Sequence, residues 1–421
     1  MAELILYNQL VKGMHAFTPR EKGRVKLFTC GPSVYRRQHL GNYRTYLFED
    51  VLHKYLEYKG LEVNRVINFT DIEDKAIREA REKGTSVENL RRPVEEAFFN
   101  ECAMLKIRLP ENIPRASTSV HSAVDLIESL IDRGHAYWHK GEAFYDPLTF
   151  PGFGRIYGLD MSRWPEKKIR FRQDTYPGQR WNLGDFILWH KQKNVEAEPF
   201  WDTEIGRGRP AWNIQDAAMI RKQLGFEIDI HTGGIDNLFR HHDYTMSIME
   251  GASGKRFCPW WLHGGHLLVN GRKMSKSTGN VVYPEHCMDQ GFAPRHIRFF
   301  LLYGPYRDKL DMRDSVMHER AGYLDRVRRL VHRLCTGVAE RAGKCDAHPA
   351  ADVKAAFESG MDNNLDVAGA FDAMTDQLIR AVHIDASTGI DSRKREALRT
   401  ALSDVDKVFC VLNIDSSDGM K

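Results

Sequence analysis

The sequence predicts an α/β protein: a doubly wound parallel sheet with an insertion, followed by a helical C-terminal domain. Three observations predict it, namely a strand–helix–strand unit near the N-terminus, a later strand that meets a glycine pair, and a run of helical periodicities after Arg295.

Taken in order, VKLFTCGPSVY reads as a β-rich run that stops at Gly31-Pro32. HLGNYRTYLFEDVLHKYLEYKG then spaces its apolar residues by three and four and ends in Gly60, which predicts a helix. LEVNRVINFTDIEDKAI supplies a second strand and another helix start, completing a βαβ unit of a parallel sheet. Residues from about 85 to 225 alternate helical stretches with irregular ones, notably LTFPGFGRIYGLDMSRWPEKK. An insertion between the halves of the sheet, about residues 100–210, accounts for them. FEIDIHTGGIDNLFRHH returns to a strand, a Gly-Gly turn and a helix. IRFFLLYGPY, HERAGYLDRVRRLVHRLC, ADVKAAFESGMDN, DVAGAFDAMTDQLIRAVHI and SRKREALRTALSDVDKVFCVL all read as helices, so the expected division is 1–300 for the sheet-bearing domain and 301–421 for the helical one.

Bulk properties narrow the class. A chain of 421 residues exceeds one ordinary core, and 42% hydrophobic with 28% charged residues describes a globular protein, neither disordered nor membrane-embedded. No apolar run approaches the length of a membrane span, and MAELILYNQLVKGMHAF lacks the basic start and small-residue cleavage site of a signal peptide. Cytoplasmic residence and no membrane partner are the expectation. Seven cysteines, scattered and without a CxxC pair, argue against a disulfide framework or an ordinary zinc ribbon. The net charge of +4 demands no nucleic-acid partner, although a local basic face is compatible with it.

Two short motifs carry the chemistry. His39-Leu40-Gly41-Asn42 sits where a strand hands over to a helix N-terminus, a place where backbone N–H groups and the helix dipole favour phosphate. Gly41 allows close approach to the backbone, and His39 and Asn42 supply side-chain donors. Alone, the tetrapeptide is equally compatible with a histidine packed at a helix start. The second motif, Lys273-Met274-Ser275-Lys276-Ser277, follows the turn Asn270-Gly271. Two lysines on such a loop neutralise charge that builds on pyrophosphate as a carboxylate attacks an α-phosphorus. A solvated basic loop is the competing reading of the pentapeptide in isolation.

Together the motifs resemble the HIGH and KMSKS signatures of class I aminoacyl-tRNA synthetases, and specifically those of cysteinyl-tRNA synthetases. FTCGPSVYRRQHLGNYRTYLFEDVL, NFTDIEDKAI, GRGRPAWNIQDAAM, DIHTGGIDNLFRHHDYT, NGRKMSKSTGN and FAPRHIRFFLLYGPYRDKLDM resemble that family's segments in the same order, from residue 5 to about 415. The resemblance implies a Rossmann-like catalytic domain and an enzyme that uses ATP with Mg2+ to activate an amino acid as its adenylate. It places His39, Gly41 and Asn42 on the phosphates, Asn42 replacing a second histidine, and Gly234 and Asp236 on the adenosine. Lys273 and Lys276, with Ser275 and Ser277 of the same loop, face the phosphates. Cys30, Gly31, Thr70, Trp212, Asp216 and His241 fall in the amino-acid pocket.

The resemblance also implies a departure. The family holds a zinc ion, which binds the substrate thiol, with two cysteines, a histidine and a glutamate. Here those positions are Cys30, Asp216, His241 and Thr245. Cys30, Asp216 and His241 still suit a three-ligand site, whereas a threonine hydroxyl is a poor ligand, so a weakened or lost zinc is the expectation. His242 and Asp243 are expected to point elsewhere on the helix. Asp216, a carboxylate at a pocket floor, then needs a substrate cation, a donor or a metal as partner. The activated acid is accordingly expected not to be cysteine, or not cysteine alone. Because the sequence ends soon after ALSDVDKVFCVLNI, where the family continues into an anticodon-binding domain, a small amine acceptor is favoured over tRNA. Three readings compete: a ligase with a small amine acceptor, a tRNA ligase with a divergent pocket, and a non-catalytic binding relative.

Overall fold

A computed structural model describes residues 3–161, 184–192, 199–274, 279–337 and 347–414. Four parallel strands form the central sheet in the order Trp260–Gly264, Ile230–Gly234, Arg24–Thr29, Glu62–Ile67. The chain enters at Arg24–Thr29, moves outward to Glu62–Ile67, and later resumes on the other side with Ile230–Gly234. The strand order therefore reverses between Arg24–Thr29 and Ile230–Gly234, and in such sheets ligands bind outside the C-terminal strand ends at that switch point.

Period-two alternation divides the strand side chains between two cores. Val25 and Leu27 enter a core with the helix Leu40–Tyr58 and the C-terminal helices. Phe28 and Cys30 enter a second core with the helices Val120–Asp132 and Trp212–Leu224. Between Ile67 and Trp212 stand helices Asp74–Glu82, Val87–Met104 and Val120–Asp132. An antiparallel sheet follows in the order Ala136–His139, Glu142–Tyr145, Phe186–Lys191, Gly208–Pro210.

Two local readings are corrected. Gly233 and Gly234 belong to the strand, and the chain turns only after them, through Ile235–Asn237 and Leu238–His242. The helix in IRFFLLYGPY runs Pro294–Leu302 and stops there, since Gly304 (φ +149°) and Pro305 cannot continue it. The helices that follow it, Asp314–Thr336, Pro349–Asp362, Val367–Ser387 and Ser392–Phe409, form the helical C-terminal region. Arg298, 1% exposed, joins that region to the sheet body: it donates to Asp50 Oδ2 (2.8 Å), Leu105 O (2.8 Å) and Phe409 O (2.6 Å). Among the described residues, no helix is long and apolar enough to cross a membrane.

Candidate active site

Every sheet strand delivers site residues just past its C-terminal end: Cys30-Gly31, Asn68 and Thr70, Asp236, and Gly265-His266. They line a cleft of about 400 Å³ together with His39, Gly41, Asn42, Trp212, Asp216, Gly234, His241 and Lys273. The cleft thus gathers all the expected site residues that the structure describes; Ser275, Lys276 and Ser277 lie outside the described residues.

At one end, the motif around His39 builds a helix start. His39 is the N-cap of Leu40–Tyr58: its Nδ1 accepts from Asn42 N (3.3 Å), and its own backbone N–H donates to Asn42 Oδ1 (3.1 Å). Asn42 was expected to face a phosphate; its carbonyl end is committed to this reciprocal cap, so a phosphate contact falls to its amide end. Gly41 is packed against the histidine, where a Cβ would lie 3.0 Å from His39 Cε1 and Nδ1. Opposite, Leu267–Val269 and Arg272–Lys273 form a hairpin whose turn residues Asn270 and Gly271 both have positive φ, as a tight hairpin requires. The hairpin aims Lys273 Nζ at Asp236 Oδ1 (2.6 Å), and His266 Nε2 meets the same oxygen at 2.8 Å. Burial works against the charge of Asp236, yet Lys273 and His266 hold its carboxyl below the usual range. Asp236 and Lys273, expected on the ribose and the phosphates, are therefore joined as one ion pair.

The floor of the cleft is a closed polar network. Asp216, 2% exposed, takes His241 Nε2 on Oδ2 (2.7 Å) and Asn68 Nδ2 on Oδ1 (3.0 Å), with Cys30 Sγ 3.4 Å from Oδ2. Trp212 lies one helical turn before Asp216 and stacks on the His241 ring at 4.2 Å, so one helix face grips both the ring plane and its N–H edge. Burial opposes ionisation of Asp216, but His241 outweighs it and keeps the carboxyl below its ordinary range. Burial also pushes the Cys30 thiol well up, with Asp216 adding to the effect. Asn68 Oδ1 accepts from Gly31 N (2.9 Å), and the approach there is close enough that a Gly31 Cβ would stand 1.8 Å from Asn68 O. Thr70 is tied to the adjoining loop through backbone bonds with Pro32 and Val34.

One expectation, that for His242, changes here. Of the partners left open for Asp216, a substrate cation, a donor or a metal, the structure supplies donors, His241 and Asn68. His242 points inward: Leu238–His242 winds as a wide turn containing extended Phe239 (φ −131°, ψ 123°), which brings His242 Nε2 to 3.2 Å from Cys30 Sγ. Asp243, by contrast, accepts from Ile156 N (3.1 Å), away from the cleft. The family's four-ligand zinc position does not fit these residues, because the Thr245 hydroxyl donates to His241 O (3.1 Å) along its own helix. Cys30, Asp216 and His241 still offer three donor atoms within 4.8 Å of one another. Asn68, His231 and His266 carried no assigned role in the sequence reading, and His242 was set aside there as pointing elsewhere; Asn68, His231 and His242 lie inside segments that resembled the family, and that was the only signal for the first two.

A nucleotide-sized cleft at the switch point, flanked by a histidine-capped helix start and a lysine hairpin, defines the class I aminoacyl-tRNA synthetase architecture. Solved structures agree in fold. Mycobacterium tuberculosis methionyl-tRNA synthetase in complex with methionyl-adenylate aligns with a TM-score of 0.65 at 14% identity, covering 92% of this chain and 90% of that one. A ternary complex of an Agrobacterium radiobacter K84 LeuRS with tRNA and LeuAMS aligns with a TM-score of 0.63 at 12% identity, covering 95% and 86%. The family described as tRNA synthetases class I (C) catalytic domain matches residues 16–322, and the chain belongs to it. Cysteine--tRNA ligase of Solibacter usitatus is 36% identical over 99% of this chain and 88% of the relative. That of Chlamydia muridarum is 34% identical over 99% and 89%. The protein is a class I aminoacyl-tRNA synthetase-like ligase, and class I synthetases use ATP with Mg2+.

Proposed function

We propose that the chain activates an amino acid other than cysteine as its adenylate. The observation that carries this reading is the floor of the cleft, where Asp216 is closed onto His241 and Asn68, and Thr245 is turned away. The fourth donor of the family's thiol-reading zinc is missing from this floor, where Thr245 bonds its own helix, and the three donors that remain are tied to one another, Asp216 to His241 and to Cys30. Without that zinc, a pocket lined by Cys30, Thr70, Trp212, Asp216 and His241 selects by shape and hydrogen bonding, so a short side chain bearing a hydroxyl or amino donor fits it better than a thiol does. In the reaction the amino-acid carboxylate attacks the α-phosphorus of ATP, the bond to the β-phosphate oxygen breaks, and pyrophosphate leaves. His39 and Asn42 at the helix start and Lys273 and Lys276 from the loop stabilise the charge that develops, with Gly234 and Asp236 beside the adenosine.

For the acceptor, the relatives support tRNA, since both curated relatives cited are named cysteine--tRNA ligases. The small amine expected from the sequence rested on where the sequence ends, and no feature of the cleft favours it. ATP–pyrophosphate exchange with a panel of amino acids tests the reading. Exchange driven by a short hydroxyl- or amino-bearing acid above that driven by cysteine is expected. Exclusive activation of cysteine sinks it and restores a cysteine-specific enzyme.

A further inference from the structure

Outside the lining of the cleft, the Cys30 sulfur faces a second set of donors. His242 Nε2 lies 3.2 Å from it, and the His231 ring meets that of His242 edge-on at 4.4 Å. One donor atom from each of Cys30, His231 and His242 falls within 4.8 Å of the other two, and all three side chains are buried. Three features set this apart from ordinary histidine packing. His231 is wholly buried, and apart from the Thr232 backbone neither of its ring nitrogens has a hydrogen-bond partner among the described residues. His242 Nδ1 lies 2.7 Å from His263 Nε2, so its outer nitrogen is held while Nε2 is aimed at the sulfur, the way a metal-bound histidine is oriented by a neighbour. Gly233 makes room for this placement: a Cβ there would lie 2.8 Å from His242 Cε1 and 3.0 Å from its Nε2, displacing the ring.

We propose that Cys30, His231 and His242 bind a thiophilic divalent cation of the zinc class on the core side of Cys30, opposite the cleft. One thiolate and two imidazoles are donors that zinc prefers, and three protein donors are the complement of zinc sites that keep one position open. Binding forms a metal–sulfur bond and releases the Cys30 proton to solvent. Asp216 takes no part. The ion is separated from the substrate by the sulfur itself, so it braces the ends of the strands Arg24–Thr29 and Ile230–Gly234 and does not read a substrate thiol.

Metal content after loading with Zn2+, and the thiolate charge-transfer absorption after loading with Co2+, test the site independently of activity. The full chain is expected to hold about one equivalent and to show the band, and Asp216→Asn and His241→Gln to keep both within about twofold, whereas His231→Gln loses at least roughly tenfold in affinity. Absence of the cobalt band in the unmodified chain overturns the proposal. So does loss of metal in Asp216→Asn or His241→Gln, which would put the ion on the cleft side. Should His231→Gln not fold, the two cleft-side variants decide, since each must keep the band and the rise in Tm that Zn2+ gives. The exchange panel of the preceding section tests substrate choice separately, so each idea can fail alone.

Discussion

At the scale of single residues, the site is a set of charges whose partners decide what they can do. Lys273 is paired with Asp236 at 2.6 Å, both more than half exposed, an exchangeable contact from which the lysine can turn to a triphosphate. Lys273→Ala is expected to lower pyrophosphate exchange by about two orders of magnitude while changing nucleotide affinity much less, because its charge is needed most as pyrophosphate departs. Equal losses in both, measured by exchange kinetics and nucleotide titration, would assign it a ground-state role instead. Glu49 presents the opposite case. It is wholly buried, and burial pushes its carboxyl up to about 8, with Arg65 and a hydrogen bond from Thr232 opposing the rise. A raised carboxyl keeps in the folded state a proton that the unfolded chain, near 4.5, gives up. The stability it contributes is therefore complete below about 4.5 and is lost as pH rises toward 8. Glu49→Gln keeps the shape without the titration, so its Tm is expected to vary less than that of the parent between those pH values. Parallel profiles for the two proteins would assign the ionisation to another group.

At the scale of elements, the helix start at His39 joins stability to chemistry. Asn42→Ala removes the acceptor of the His39 N–H and is expected to cost ~0.5–2 kcal/mol of stability. It also removes the amide that the proposed function sets on the phosphates, so exchange should fall more than stability does; urea unfolding and exchange measured on the same sample separate the two effects. The helix start was legible in the sequence, because an apolar-periodic run declares its own head; the reciprocal cap was not, since His39 and Asn42 read there as donors to a phosphate. The strand Arg24–Thr29, the helix Leu40–Tyr58 and the C-terminal helices were legible for the same reason, each declaring itself through its own period. The inward turn of His242 was not. It depends on extended Phe239 inside Leu238–His242, a break that ordinary helical spacing conceals and that reverses the expected direction of a side chain. Asp216 likewise read as an unmatched carboxylate, since its partner Asn68 is 148 positions away in the chain and no periodicity links them.

At the scale of the whole molecule, the sheet body and the C-terminal helices are fastened by a buried charge pair. Arg298 and Asp50 side chains are 1% and 0% exposed and meet at 2.8 Å, while the same guanidinium also caps the carbonyls of Leu105 and Phe409. The helix Ser392–Phe409 therefore ends on the arginine that neutralises the helix Leu40–Tyr58. Burial opposes ionisation of Asp50, but Arg298 and Lys54 together hold its carboxyl below the usual range. Arg298→Met keeps much of the volume and leaves Asp50 with Lys54 (2.7 Å) and the Arg108 backbone N–H (2.9 Å), so it is expected to cost ~3–5 kcal/mol, the consequence of removing the main counter-charge of a buried carboxylate and stranding several carbonyls. The sign with pH follows from the lowered carboxyl: the pair's contribution is complete above the unfolded value near 3.8 and is lost as pH falls through the lower folded value. In the variant, acid protonates the stranded Asp50, so the gap in stability to the parent should narrow below about pH 4. Adding Asp50→Asn to Arg298→Met should recover part of the loss at neutral pH, whereas Asp50→Asn alone strands the arginine and destabilises. Urea unfolding of the four proteins at two pH values closes the cycle. Additive losses with no recovery in the double variant would mean that the helices are held by their apolar faces and that Arg298 contributes only its carbonyl bonds.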